Sequence, residues 1–263
     1  MIRALYSAAS GMTAQQSNLD NIANNLANSN TNGYKTRQAQ FQDLLYQNTT
    51  QPGTAAAQQT VYPSGLQVGL GTRQASNEII FTQGSLQQTQ NPLDLAIQGN
   101  GFFQILQPSG TLAYTRDGSF HLDRNGNVVN NDGNSLVPQI TLPPNSQNIS
   151  IAADGTVSFS TPGQTASQLG GQIQLALFPN PGGLNAVGHN LYLPTDASGD
   201  PTLANPGGPE GLGTLLQGYV EQSNVSVVTE FINMIVAQRS YEASSKVIKA
   251  ADEMYQDVNN LTQ

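Results

Sequence analysis

Residues 21–35 read NIANNLANSNTNGYK, with asparagine at 21, 24, 25, 28, 30 and 32 crowded around Ile22 and Leu26. Ile22 and Leu26 are spaced like packed positions of a helix. Asparagine costs roughly 0.5–0.7 kcal/mol against alanine inside a helix, because its amide competes for backbone hydrogen bonds. The four asparagines at 18, 21, 24 and 25 therefore cost about 2–3 kcal/mol together. Such a helix draws its stability from partners outside itself, and in an assembly its amides would offer uncharged donors and acceptors to neighbouring subunits. The run from Ser29 to Gly33 supplies the stop, since Asn and Gly accept left-handed backbone.

Upstream of this stretch, Leu5, Met12, Leu19 and Leu26 recur every seven residues, with Met1, Ala8, Gln15 and Ile22 on the adjacent line. That is a heptad seam over roughly 26 residues, or about 40 Å of helix. A second seam lies at the far end of the chain. From Asn224, a candidate N-cap followed by Glu230, the residues Val227, Phe231, Met234, Tyr241 and Ile248 share a stripe. Val247, Ala251, Met254, Val258 and Leu261 continue it slightly rotated, and neither Pro nor Gly interrupts residues 219–263. The pattern predicts one helix of about 40 residues, near 60 Å long.

Between the seams the texture changes. Residues 47–77 hold one charged residue, Arg73, among Gly, Pro, Gln and Thr, which predicts extended chain or short strands. From about 79 to 215, short apolar alternations such as Leu93-Leu95-Ile97, Val157-Phe159 and Ile173-Leu175-Leu177 alternate with turn pairs. Those pairs are Asn-Gly at 100 and 125 and Asp-Gly at 132 and 154, which favour hairpins. The expected class is α+β: an irregular antiparallel β domain inserted between discontinuous terminal coiled-coil helices. The expected organisation is a helical polymerisation domain from 1–46 and 216–263, a connecting segment at 47–78 and a β domain at 79–215.

Charged residues make up 10% of the 263-residue chain, against about 25% in typical globular proteins. The net charge is -8, and no Lys or Arg occurs between Arg124 and Arg239 while seven acidic residues do. This layout is the opposite of a footprint for nucleic acid or an anionic membrane. The absence of cysteine excludes disulfides and thiolate chemistry. MIRALYSAASGMTAQQ lacks a continuous apolar core, and no 18-residue apolar run occurs, so membrane insertion is not expected. The expectation is a cytosolic chain or one exported without a cleaved signal peptide.

Chemistry is not where the sequence is informative. DRNGN at 123–127 resembles the start of an EF-hand loop, but the sixth and twelfth positions hold Val128 and Asn134 instead of Gly and Glu, so a hairpin turn is expected. His121 alternates with Phe120 and Leu122, and His189 follows Gly188 in a turn; neither sits in a triad pattern. GLQVGLG at 65–71 is neither a dinucleotide fingerprint nor a P-loop. The reading is of no catalytic, cofactor-binding or metal residue. An intramolecular helical hairpin would bury the seams, as in a soluble monomeric adaptor. However, their unequal length and the nearly uncharged surface point to subunit contacts.

The residues also carry a resemblance. ANNLANSNTNGYK at 23–35 and SNVSVVTEFINMIVAQRSYEASSKVIKAADEM at 223–254 resemble the terminal signature of the bacterial flagellar axial proteins that build rod and hook. QGNGFFQI at 98–105 and YTRDGSF at 114–120 resemble the β-domain motifs of that family. MIRALYSAASGM, FQDLLYQ at 41–47 and TVYPSGLQVGLGTR at 60–73 are similar to its distal-rod members, with hook and proximal-rod subunits as the alternatives; Tyr34 stands where phenylalanine is common.

The resemblance implies a structural subunit of a hollow helical homopolymer. Its partners would be proximal rod proteins, hook protein, the surrounding P- and L-ring proteins, a rod cap and the flagellar export apparatus. It implies assembly through Leu5, Met12, Leu19, Ile22, Leu26, Val227, Phe231, Met234, Tyr241, Ile248, Met254, Val258 and Leu261. It also implies a rod-specific segment containing Tyr62, Pro63, Gly65, Leu66 and Val68.

Overall fold

The computed structural model describes residues 2–53, 55–57, 60–61, 64–143, 145–162, 167–209 and 211–261. The chain forms two compact units: one from the chain up to Ala27, Arg37–Ile79 and the chain from Ser226, the other from Asn28–Thr36 and Ile80–Val225.

The first unit is built on two helices, α1 (Ile2–Ala27, 26 residues) and α2 (Val227–Leu261, 35 residues). Helix α2 starts later than expected. Ser226 caps it, its Oγ accepting from the Thr229 N–H at 3.5 Å and its carbonyl from the Glu230 N–H at 3.0 Å. Asn224 is engaged elsewhere: its Oδ1 accepts from both the N–H and the hydroxyl of Thr36 at 2.7 Å, and its Nδ2 donates to the Ile80 carbonyl. An amide committed to the β unit cannot also cap a helix.

In the same unit the strand Arg37–Asp43 pairs antiparallel with Thr72–Ile79, from Arg37↔Ile79 to Asp43↔Thr72, with a bulge at Gln40/Phe41. Both strands are mostly polar and exposed, so their pairing needs a support, and α1 provides it. The Asn77 amide donates to Asn21 Oδ1 at 2.7 Å, and the Thr72 N–H donates to Ser10 Oγ at 3.3 Å. Gly71 makes the approach possible: its φ is +107°, and a Cβ there would fall 2.1 Å from Ser10 Oγ. Outward from the pair, Gln47–Thr50 joins Leu66–Val68 and Ala55–Ala57 joins Thr60–Val61.

The second unit is antiparallel β. Phe102–Leu106 is central to a nine-stranded sheet, bonded to Leu112–Thr115, Ser135–Val137 and Leu175–Leu177. A separate three-stranded sheet comprises Gln147–Ile151, Thr156–Ser160 and Gln168–Gln172. The core is filled by Phe103, Phe120, Ile105, Leu136, Ile140, Leu142, Leu175 and Leu215.

The turn pairs at 125, 132 and 154 close hairpins, with Asp123 Oδ1 accepting from the Asn125 and Asn127 N–H groups in the first. The pair at 100 does not. Leu95–Gln98 bonds instead to Thr214–Gln217, and Asn100 accepts from the Gly213 N–H at 2.7 Å. A partner more than a hundred residues away outcompetes the local turn.

Candidate assembly site

Helices α1 and α2 pack antiparallel within the chain: Gly11 faces Ser244, and Asn25 bonds to Glu230. The facing line on α2 runs every seven residues through Glu230, Ala237, Ser244 and Ala251, with Glu230, Ala237 and Ala251 buried. On α1 the buried residues are Ala8, Ala14, Ile22 and Asn25. Small side chains let the two backbones come close, so the seam relies on dispersion contact and shape more than on large apolar knobs.

The asparagines are engaged within the chain, Asn21 and Asn25 in the helical unit and Asn28 and Asn32 in the β unit. Asn25 is 2% exposed; it donates to the Arg37 carbonyl at 2.9 Å and accepts from the Arg37 N–H at 3.0 Å. Its carboxamide imitates a strand partner at the edge of the first strand. Asn28 accepts from the Thr31 hydroxyl, and Asn32 donates to Ser119 Oγ. Four amides read from the sequence as offers to neighbouring subunits, those of Asn21, Asn25, Asn28 and Asn32, thus have partners inside their own chain. Glu230 packs against Asn25, and burial pushes its carboxyl pKa above the usual range, partly offset by the bond from that amide.

Ile22 is buried, while Leu5, Met12, Leu19, Leu26, Met234 and Ile248 are half-buried. Val227, Phe231, Tyr241 and Met254 are exposed. The side chains of Val258 and Leu261 lie outside the described set. Residues absent from the predicted interface are more exposed still: Val228 (71%), Ile232 (57%), Ile235 (57%) and Val236 (59%). Val228, Ile232 and Ile235 follow i, i+4, i+7 spacing and form one apolar line on the first half of α2. Seven-residue counting missed them because it followed a single line of large residues. In the outlying segment, Gly65 and Val68 are half-buried and Leu66 is exposed; Tyr62 and Pro63 are outside the described residues. Leu45 is 87% exposed.

One further cluster lies within the β unit. The Lys35 ammonium sits 2.5 Å from Glu221 Oε1 and donates to the Thr82 carbonyl at 2.8 Å. Glu221 Oε1 also accepts from the Gly84 N–H at 2.9 Å, and its backbone carbonyl accepts from Gly33 at 2.7 Å. Arg116 approaches Glu221 Oε2 at 3.5 Å, donates to the Gly99 carbonyl at 2.7 Å and lies over the Phe102 ring. Burial lowers the pKa of both Lys35 and Arg116, opposed by the Glu221 charge. Gly33 has φ +69°, and a Cβ would fall 2.6 Å from the Asp117 nitrogen, so the Asn-Gly-Tyr-Lys run admits only glycine there. Sequence reading gave Lys35, Arg116 and Glu221 no individual role. Their one signal was scarcity: a lone lysine inside a motif of an almost uncharged chain.

Three family models match the chain. They are the flagella basal body rod protein at residues 5–35, the D1 domain of the flagellar hook protein FlgE/F/G at 96–159, and the C-terminal part of the flagellar basal body rod FlgEFG protein at 216–261. The flagellar basal-body rod protein FlgG of Buchnera aphidicola subsp. Acyrthosiphon pisum is 49% identical over 99% of this chain and 100% of its own length. That of Caulobacter vibrioides is 49% identical over 99% of each chain, and that of Bacillus subtilis 41% identical over 99% of each. The paired terminal helices, the inserted antiparallel β unit and these full-length likenesses agree: the chain belongs to the FlgG family of flagellar basal-body rod proteins and is a structural subunit of the rod.

Proposed function

We propose that the subunit polymerises with copies of itself into a rigid, hollow helical tube that carries torque from motor to hook and encloses the export channel. The observation that carries this reading is the division of labour on α2. Small residues make the seam inside the chain, while Val228, Ile232 and Ile235 remain exposed on the same helix. Burying three such side chains in a neighbour contributes about 1.5–3 kcal/mol each, and a helical polymer repeats that contact at every subunit. No helix among the described residues is long and apolar enough to cross a membrane. The partners that fit a distal-rod subunit are proximal rod proteins below, hook protein above, P- and L-ring proteins around it, a rod cap at the growing tip and the export apparatus. The segment 47–73 stiffens the tube by touching axial neighbours, using exposed groups such as Leu66.

The test is electron microscopy of concentrated, purified protein beside the Ile232→Ser/Ile235→Ser variant. Tubes from the parent chain and none from the variant, at equal helix content, are expected. A parent chain that stays monomeric at high concentration would favour the soluble adaptor, a reading to which the seam within the chain otherwise lends support.

A further inference from the structure

The three charges of the buried cluster in the β unit do not balance among themselves. Lys35, Arg116 and Glu221 have side chains 0%, 3% and 0% exposed, two cations on one carboxylate, and Arg116 Nε is buried without a hydrogen-bond partner. As a source of stability this is a poor arrangement. Removing ions from water costs more than imperfect pairing returns, and apolar replacements of similar volume are commonly neutral or stabilising.

What the cluster achieves is geometric. It gathers three passages of chain, 33–36, 80–84 and 221–224, each beside one of the four ends of the β unit's two segments, those at 36, 80 and 225. Lys35 ties the first passage to the Thr82 carbonyl and to Glu221, and Glu221 ties the third to Gly33 and Gly84. Asn224 completes the knot, accepting from Thr36 and donating to the Ile80 and Thr82 carbonyls. Lys35, Arg116 and Glu221 also fall one in each of the three segments that match family models.

We propose that Lys35 and Glu221, supported by Arg116 and Asn224, are positioning residues for assembly: they hold three of the four segment ends of the β unit in one fixed register, which polymerisation requires and folding does not. This rests on the assembly reading above. It also separates the knot from the core, because Lys35→Met removes the excess cation and leaves Arg116 and Glu221 as a balanced pair.

The experiment compares full-length parent and Lys35→Met protein by thermal melting, hydrogen exchange and electron microscopy. The expected variant keeps its Tm and the protection of amides in Phe102–Leu106. It exchanges the amides of Gly33, Thr36, Ile80 and Gly84 about tenfold faster or more, and it forms no regular tubes. Asn224→Ala, which leaves every charge in place, should reproduce the pattern and decides the matter if Lys35→Met does not fold. Variants that assemble like the parent would overturn the proposal. So would variants whose core amides lose protection as much as the knot amides, since the cluster would then only support folding. If the parent itself forms no tubes, the assembly reading fails, whereas the exchange contrast still reports on whether the knot is separable from the core.

Discussion

Asn25 illustrates how a residue that is unfavourable in a helix becomes necessary to it. Its amide holds both backbone groups of Arg37, so Asn25→Ala leaves an N–H and a carbonyl without partners in a partly buried place. The expected loss is about 2–4 kcal/mol from the helical unit, read as faster exchange of α1 amides with the β-unit amides unchanged. Glu230 supplies the second residue-scale prediction. Burial raises its pKa above the ordinary value of 4.5, so the folded unit holds an extra proton in the window above that value. Stability therefore falls as pH rises through the window and is regained on acidification. Melting followed by helix circular dichroism at pH 5 and pH 7 should show this dependence, and Glu230→Gln should flatten it. The opposite sign applies to Asp123 and Asp154, whose pKa values backbone hydrogen bonds lower, so their contribution is lost only below the ordinary carboxylate range. The asparagine run was legible as a cost to the helix, but its partners were not, because a carboxamide bonding a distant backbone leaves no periodic trace.

The helices were legible as elements because large apolar residues recur with helical spacing and Pro is absent. Which face they turn toward each other was not. Ala237, Ser244 and Ala251 carry little hydrophobic signal, yet they line the seam, while Phe231, Tyr241 and Met254 on the expected stripe are exposed. Close packing makes the seam sensitive to size: Ala237→Leu should cost about 1–3 kcal/mol by overpacking, seen as a lower helix melting temperature. The substitutions at Ile232 and Ile235 should leave that temperature unchanged. Hairpins followed their turn pairs wherever both strands were sequence neighbours, as at 125, 132 and 154. The pair at 100 failed because the partner strand, Thr214–Gln217, is remote in sequence.

For the whole molecule, the order of secondary structure and the split ends could be read directly, since a heptad seam needs a partner and the only other one stands at the opposite end. The knot of Lys35, Arg116 and Glu221 could not, because three scattered charges become a cluster only after the sheet has formed. Removing residues 1–30 deletes α1 but keeps Gly33, Lys35 and the β core. That truncation is expected to be soluble and monomeric, with intact β-unit exchange protection and no tubes by electron microscopy. Tubes from it would show that polymerisation does not depend on the seam.

The antiparallel seam joins Asn25 to Glu230, and the ion pair of Lys35 with Glu221 spans 186 residues of chain. During synthesis, or passage through a pore from the N-terminus, α1 emerges long before the residues that hold it. Helix α1 can nucleate and bond to the strands Arg37–Asp43 and Thr72–Ile79, but the facing line of α2 is still missing, whereas the central β strands already have most of their partners. The seam therefore acts as a completion signal: the unit that recruits neighbours takes shape only once the final segment has arrived, and a chain interrupted before Glu221 remains unpaired at the end it would offer.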